Sequence, residues 1–342
     1  MNKTKLYILS FFFLTLFILS LNKPFMEWWA DFKQNNLQST KNAKLGDLYK
    51  ISFLKDFIDT NDHVKLAEYR TTKHPIDLYI LHDSYLDRRL KKENFIGVDT
   101  LIMSSYSGNG VRISLNKKKY NVLIVECSER TVDWRMKYIP FLYPKLYSTN
   151  KPPEFKVELP AEWKNYLFNP VINQNIEFNL FNYELLRPVK EFKADLIYSW
   201  FHKTPNDVAV SSNNKYLLLN ETVNKYYNES SFKPLTNANI YETTFQMNMR
   251  EEYYRKMGFD KVYFSIIPNP VSIVDQWRPC QFYNHKIERI KNVEWRKFPM
   301  IDVYNTFLWT QKRIYRKDDS HWNNNGVQLW LNEVNSQLML FK

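Results

Sequence analysis

Near the end of the chain, Asp319, Ser320 and His321 stand together in the stretch RKDDSHWNNNG, Arg316–Gly326. Inside a helix, residues two apart diverge by about 200° around the axis. In the extended or turn backbone ahead of a helix, the Asp and His side chains can reach one point. There an aspartate fixes the histidine tautomer and stabilises its imidazolium, and the histidine acts as a general base. Asp318 is a second candidate, at the spacing Asp-x-x-His. A solvated charged turn gives the same string, and a metal site lacks a second His or Cys at ligand spacing. A general base needs a nucleophile, and LYILHDSYL (Leu78–Leu86) supplies Ser84 directly after an apolar run. A helix over YLDRRLKK would present backbone N–H groups to an oxyanion, with Asp83 or Ser84 equally readable as its N-cap. The stretch SSYSGNG holds Gly108 and Gly110, two of only six glycines in the chain. Scarce glycines clustered there point to tight backbone geometry near something bound, or to an ordinary turn.

The elements that must position these groups are short. Ile76–Leu81, Val98–Met103 and Asn121–Glu126 are apolar runs of strand length, each ending in polar residues. Runs about 20 residues apart predict βαβ units and a parallel sheet, whose ligands bind beyond the carboxyl ends of the strands. Further strands are expected at Asp195–Trp200, Lys215–Asn220 and Lys261–Pro270. A helix is expected over Asn237–Phe259, ending at Gly258. Val327, Trp330, Leu331, Val334 and Leu338 have helical spacing, and Asn323 to Asn325 would cap that last helix. Residues 141–193, rich in proline, asparagine and aromatics, read as an irregular insertion.

The chain has 342 residues, 44% of them hydrophobic and 17% aromatic, so a sizeable core is available. Its net charge of +12 (48 − 36) suits an anionic partner such as polysaccharide or lipid headgroups. No zinc-finger or RNP-like signature is present, which argues against nucleic acid, and no GxGxxG or GxxxxGK(S/T) loop occurs. No cofactor and no metal are expected. Cys127 and Cys280 are compatible with one disulfide or with two buried thiols. At the N-terminus, Lys3 and Lys5 precede the apolar run Leu6–Leu21. This reads as an uncleaved signal anchor over residues 1–23, with a cleaved signal peptide as the alternative, and puts the bulk on the periplasmic or extracellular face. Residues 24–72 read as a juxtamembrane segment and 73–342 as the catalytic domain.

These pieces resemble the SGNH (GDSL-like) esterase and acyltransferase superfamily. They are most similar to its alginate O-acetyltransferase branch of polysaccharide acetylases. His82-Asp83-Ser84 resembles the GDS turn that carries the nucleophile, with His82 in place of glycine. VLIVECSER resembles a strand ending in Glu-Arg, here Glu129 and Arg130. DSHWNNNG resembles the motif D-(S/T)-H-W before a final helix, here Asp319, His321 and Trp322. YFSIIPNP and NNKYLLLNE resemble two further strands. In the alginate branch the Asp-His motif precedes the serine; here it follows, so the arrangement looks circularly permuted. The third-block GxND is replaced by SER. The resemblance implies a three-layer, flavodoxin-like α/β fold, a parallel sheet flanked by helices. It implies O-acyl transfer to an extracytoplasmic polysaccharide through an acyl-serine on Ser84, with His321 as base and Asp319 as its orienter. Gly108 and Asn109 would contribute to the oxyanion hole; Arg130 would orient the Asp-His loop or bind an anionic sugar, with a structural ion pair to Glu126 or Glu129 as its alternative; and Trp322 would pack against the catalytic loop rather than stack on sugar. The acyl donor would come from a multispanning membrane O-acyltransferase. An acetylesterase with the same triad and a non-catalytic polysaccharide-binding protein are the alternatives.

Overall fold

A computed structural model describes residues 3–21, 28, 45–59, 65–70, 75–86, 90–106, 115–138 and 186–341. The chain divides into two compact units: residues 1–45, 53–55 and 151–203 form one, and residues 46–52, 56–150 and 204–342 the other.

In the first unit, Lys3–Leu21 is a helix. Its apolar part, Leu6–Leu21, rises only about 24 Å at ~1.5 Å per residue, against a hydrocarbon core of about 30 Å. Among the described residues no helix is long and apolar enough to cross a membrane, so the expected spanning anchor is not supported. The expected strand Asp195–Trp200 is instead the end of a helix, Arg187–Phe201, with Pro188 in its first turn. Val189, Phe192, Leu196 and Trp200 recur every three or four residues, a helical period that outweighs the short apolar run. This helix also takes the last residues of the expected insertion 141–193, most of which lies outside the described residues.

The second unit is α/β. Four parallel strands, β1 (Ile76–His82), β2 (Val98–Ser105), β3 (Tyr120–Ser128) and, after two short strands, β6 (Lys261–Ile267), make a sheet in the order β2-β1-β3-β6. Strand β3 is buried from Asn121 to Ser128 because both sheet faces are covered, which is why it is apolar without alternation. Its side chains still alternate between faces. Leu123, Val125 and Cys127 join Ile240, Met247 and Tyr254 of the helix Asn237–Lys256 on one side. Val122 and Ile124 join Trp330, Leu331, Val334 and Leu338 of the helix Asn324–Leu338 on the other. Asn323 caps that closing helix, accepting from the N–H groups of Asn325 and Gly326. The sheet is thus sandwiched between helices, as the sequence predicts.

Strand order reverses between β1 and β3: the chain leaves β1 for β2 on one side and returns to β3 on the other. Such a switch point opens a crevice at the carboxyl edge. The residues just past β1 and β3 there are Asp83-Ser84 and Glu129-Arg130.

Four expectations are corrected in this unit. The helix expected over 85–92 is not seen among the described residues: Tyr85 and Leu86 are in a turn, Leu90 and Lys91 are irregular, Lys92 opens a short 3-10 turn, and residues 87–89 lie outside the described residues. Asp83 does accept Tyr85 N–H (2.9 Å), the bond expected of an N-cap, but the turn is not continued as a helix. The run Lys215–Asn220 contributes only β5 (Leu217–Leu219), paired antiparallel with β4 (Val208–Val210) in a separate two-stranded sheet. The expected juxtamembrane segment belongs in part to this unit, because residues 46–52 and 56–59 pack within it, 47–52 as a helix. Finally, Cys127 is buried and Cys280 exposed, and both are free thiols.

Candidate active site

Ser84 is exposed in the turn after β1. Asp83 holds that turn by accepting hydrogen bonds from Tyr85 N–H (2.9 Å) and Ser128 N–H (2.8 Å), while Asp83 N–H donates to Glu126 Oε2 (2.9 Å). Burial foremost, and then the Asp83 charge, push the Glu126 carboxyl well above its ordinary range. His82 replaces glycine without blocking the turn: its ring Nδ1–H donates to Asp83 O (2.7 Å).

The Asp-His stretch is the tip of a short hairpin closed by the antiparallel bridge between Tyr315 and Trp322. Arg316 N–H donates to His321 O (3.3 Å), and Asn323 N–H to Ile314 O (2.8 Å). Asp319, Ser320 and His321 lie in the bend between the bridged residues, and His321 N–H donates to Asp319 Oδ1 (3.0 Å), which brings the two side chains together. His321 Nδ1 lies 2.7 Å from Asp319 Oδ1, and His321 Nε2 lies 2.9 Å from Ser84 Oγ, across 237 residues of sequence. Pairing with a carboxylate puts the proton on Nδ1 and leaves Nε2 to accept from the serine hydroxyl.

Burial works against the charge on Asp319, but the His321 hydrogen bond and charge, with Arg316 beyond, outweigh it and hold the carboxyl at about 2. Burial likewise depresses His321, yet the Asp319 hydrogen bond and charge and the nearby Asp47 carboxylate raise it above the ordinary histidine value, while Arg130 opposes them. Asp318 plays a different part from Asp319. It is fully buried, paired with Arg316 (3.2 Å), and accepts Gly46 N–H (3.0 Å).

The other expected residues separate. Arg130 lies past β3 with its guanidinium 3.7 Å from the Glu221 carboxylate, not on Glu126 or Glu129. Glu129 is buried instead in a polar network with Asn269 N–H (2.9 Å), Ser272 Oγ (2.6 Å) and Tyr283 OH (3.3 Å). Trp322 is 2% exposed and cannot stack on a substrate: it packs against Tyr85 and donates its indole N–H to Tyr85 O (2.8 Å). Gly108 and Asn109 lie outside the described residues.

One residue escaped sequence reasoning. Asp47, 272 positions before Asp319, donates its N–H to Asp319 Oδ2 (3.2 Å), and its Oδ1 accepts Ser320 N–H (2.8 Å). Its other oxygen receives the Ser320 hydroxyl and lies 3.7 Å from His321 Nδ1. The only signal in the sequence was its neighbour Gly46, one of the six glycines. A Cβ at Gly46 would fall 2.0 Å from Asp318 O, so only glycine lets the two segments meet. Asp47, Asp319 and His321 offer three oxygen and nitrogen ligands within 4.8 Å, which could also hold a metal ion. Every one of these groups is already paired by the hydrogen bonds just described.

Compared with known proteins, the chain matches no family model, no curated protein sequence and no solved structure.

Proposed function

We propose that the second unit is a serine acyl-transfer site, and that its reaction is O-acyl transfer, acetyl or another short acyl group, onto an extracytoplasmic polysaccharide. The observation that carries this reading is the continuous chain Ser84 Oγ, His321 Nε2, His321 Nδ1, Asp319 Oδ1, with steps of 2.9 and 2.7 Å. Ser84 attacks the acyl carbonyl carbon while Nε2 takes its proton, and Asp319 stabilises the imidazolium that results. Collapse of the tetrahedral intermediate expels the donor's leaving group, which receives that proton, and leaves acyl-Ser84. A sugar hydroxyl then attacks, again deprotonated by His321, and the proton returns to Ser84 Oγ as it leaves. The N–H of Ser84 has no hydrogen-bond partner among the described residues, so it is available to the oxyanion. Arg130 bears on His321 electrostatically and lies at the same sheet edge, where it would face an anionic group of the substrate.

The polysaccharide and the membrane O-acyltransferase that would supply the acyl group are part of the proposal, consistent with the +12 charge and the family resemblance. Export is the role left to the lysine-flanked apolar N-terminus. Hydrolysis of acetylated sugar is the second reading. It is favoured by one observation: Ser84 is exposed, so water reaches an acyl-serine as readily as a sugar does.

The test is labelling of the full chain with a fluorophosphonate probe, together with turnover of p-nitrophenyl acetate with and without a polysaccharide acceptor. Ser84→Ala is expected to abolish both labelling and turnover. Labelling that persists undiminished in Ser84→Ala overturns the assignment. Acetate release that acceptor does not suppress assigns the esterase instead.

A further inference from the structure

The segment Gly46–Ser52 is laced to the catalytic hairpin through three residues, Gly46, Asp47 and Tyr49. Gly46 N–H donates to Asp318 Oδ2 (3.0 Å), Asp47 N–H to Asp319 Oδ2 (3.2 Å), and Tyr49 N–H to Asp318 O (3.0 Å). In return Ser320 donates both its N–H (2.8 Å) and its hydroxyl to the Asp47 carboxylate. A tip of six residues between the bridged Tyr315 and Trp322 has little of its own to fix its side chains. Here the three residues before the histidine are held from outside, Asp318 by Gly46 and Asp319 and Ser320 by Asp47, with Arg316 pairing Asp318 from within the tip. From the opposite side, Tyr85 OH donates to Ser320 O (2.9 Å).

We propose that Asp47 is a positioning residue of the reaction: it clamps the Asp319-Ser320-His321 turn so that the imidazole is aimed at Ser84, and it adds a second negative charge on the Nδ1 side of the ring. This inference rests on the acyl-transfer reading of the site. The clamp works through both arms of the dyad. It fixes Asp319 by donating to the oxygen that His321 does not use. It fixes the His321 backbone through the adjacent Ser320, whose hydroxyl also lies 3.2 Å from Nδ1. The charged groups facing the imidazole are Asp319 at 2.7 Å, Asp47 at 3.7 Å and, from β3's end, Arg130; Arg316 lies 3.9 Å from Asp319 behind it. Of these, Asp47 alone lies outside the strand ends and the hairpin, on a segment the sequence separates by more than 270 residues.

Asp47→Asn separates geometry from charge. Its amide oxygen still accepts Ser320 N–H, and its NH₂ can donate to the Ser320 hydroxyl, but the negative charge is gone. The full chain is assayed with p-nitrophenyl acetate from acid to alkaline pH, and the His321 imidazole is titrated by NMR. The expected result for Asp47→Asn is a fall in kcat of about 10-fold with KM nearly constant, because the aim is kept while a charge that stabilises the imidazolium is lost. The acid limb of kcat/KM is expected to move to lower pH, because the charge that favours the imidazolium is removed. Asp47→Glu, which keeps the charge on a longer arm, is expected to restore the acid limb and part of kcat. Gly46→Ala, which leaves Asp47 in place but forces the segments apart, is expected to lower kcat as well. Wild-type kcat and an unmoved acid limb in Asp47→Asn overturn the proposal. So does a loss of activity matched by loss of melting temperature with the acid limb unmoved, which marks a purely structural residue. If the wild type shows no Ser84-dependent turnover, the acyl-transfer reading fails, and the NMR titration still decides the clamp. A His321 pKa lowered in Asp47→Asn supports it, and an unchanged one refutes it.

Discussion

Asp319→Asn tests the site most sharply, because the structure gives each carboxylate oxygen a donor. Oδ1 receives two N–H groups, His321 N–H (3.0 Å) and Nδ1–H (2.7 Å), and Oδ2 receives Asp47 N–H (3.2 Å). An asparagine has one acceptor oxygen, so one of these positions must hold an NH₂ group. If the NH₂ replaces Oδ2, it opposes Asp47 N–H and the Arg316 guanidinium 3.9 Å away, and the dyad loses its charge. If it replaces Oδ1, it opposes His321 N–H and donates to Nδ1, so the ring proton moves to Nε2. That tautomer cannot accept from Ser84, and such a switch costs about 10⁴ in kcat. The expected loss is therefore about 10²–10⁴-fold in kcat/KM, or roughly 3–5 kcal/mol of transition-state stabilisation. The assay is p-nitrophenyl acetate turnover beside the rate of fluorophosphonate labelling at Ser84, with circular dichroism to show that the fold persists. Turnover within threefold of wild type would refute the assignment of Asp319 as the orienting group. The acid side offers a second check. Because folding lowers the Asp319 pKa from its ordinary carboxylate value to about 2, its contribution to stability is present above pH ~4. That contribution is lost as pH falls through about 2. The stability gap between wild type and Asp319→Asn should close over that window.

Two further changes probe the frame around the site. Glu126 is fully buried, and burial raises its carboxyl well above the ordinary range. Folding therefore disfavours its ionised form, and Glu126→Gln should raise Tm at pH 7 by about 2–4 °C, or ~1 kcal/mol, a gain that vanishes below pH ~4 where the unfolded chain is also protonated. A Tm lowered at pH 7 contradicts this. Trp322→Phe keeps most of the packing against Tyr85 but removes the indole N–H donated to Tyr85 O. The orphaned buried carbonyl should cost about 1–3 kcal/mol in urea unfolding, and an unchanged midpoint would show the bond to be dispensable.

The sequence by itself determined the chemistry on offer and most of the scaffold. The runs at Ile76, Val98, Asn121 and Lys261 are strands because apolar residues over that length, bounded by turn residues, fit only a doubly covered sheet. Helical spacing from Val327 to Leu338 and the capping Asn323 set the closing helix. Asp319 and His321 two apart, with Ser84 past a strand, already offered a candidate acid-base pair and a candidate nucleophile. Local pattern misled where local preference was weak. Asp195–Trp200 reads as a strand by composition but obeys the helical period of the longer segment. The residues after Ser84 carry a helix-like pattern, and Asp83 makes the N-cap bond to Tyr85 N–H, yet Tyr85 and Leu86 form only a turn and Leu90 and Lys91 are irregular. Tertiary structure alone decided three things. It brought Ser84 within 2.9 Å of a histidine 237 residues away. It buried Trp322 beneath the turn, against Tyr85. It also delivered Asp47 to the back of the dyad. None of these is written in spacing, because contacts between distant segments depend on sheet order and on close approach. At Gly46 that approach is so tight that a single added carbon would prevent it.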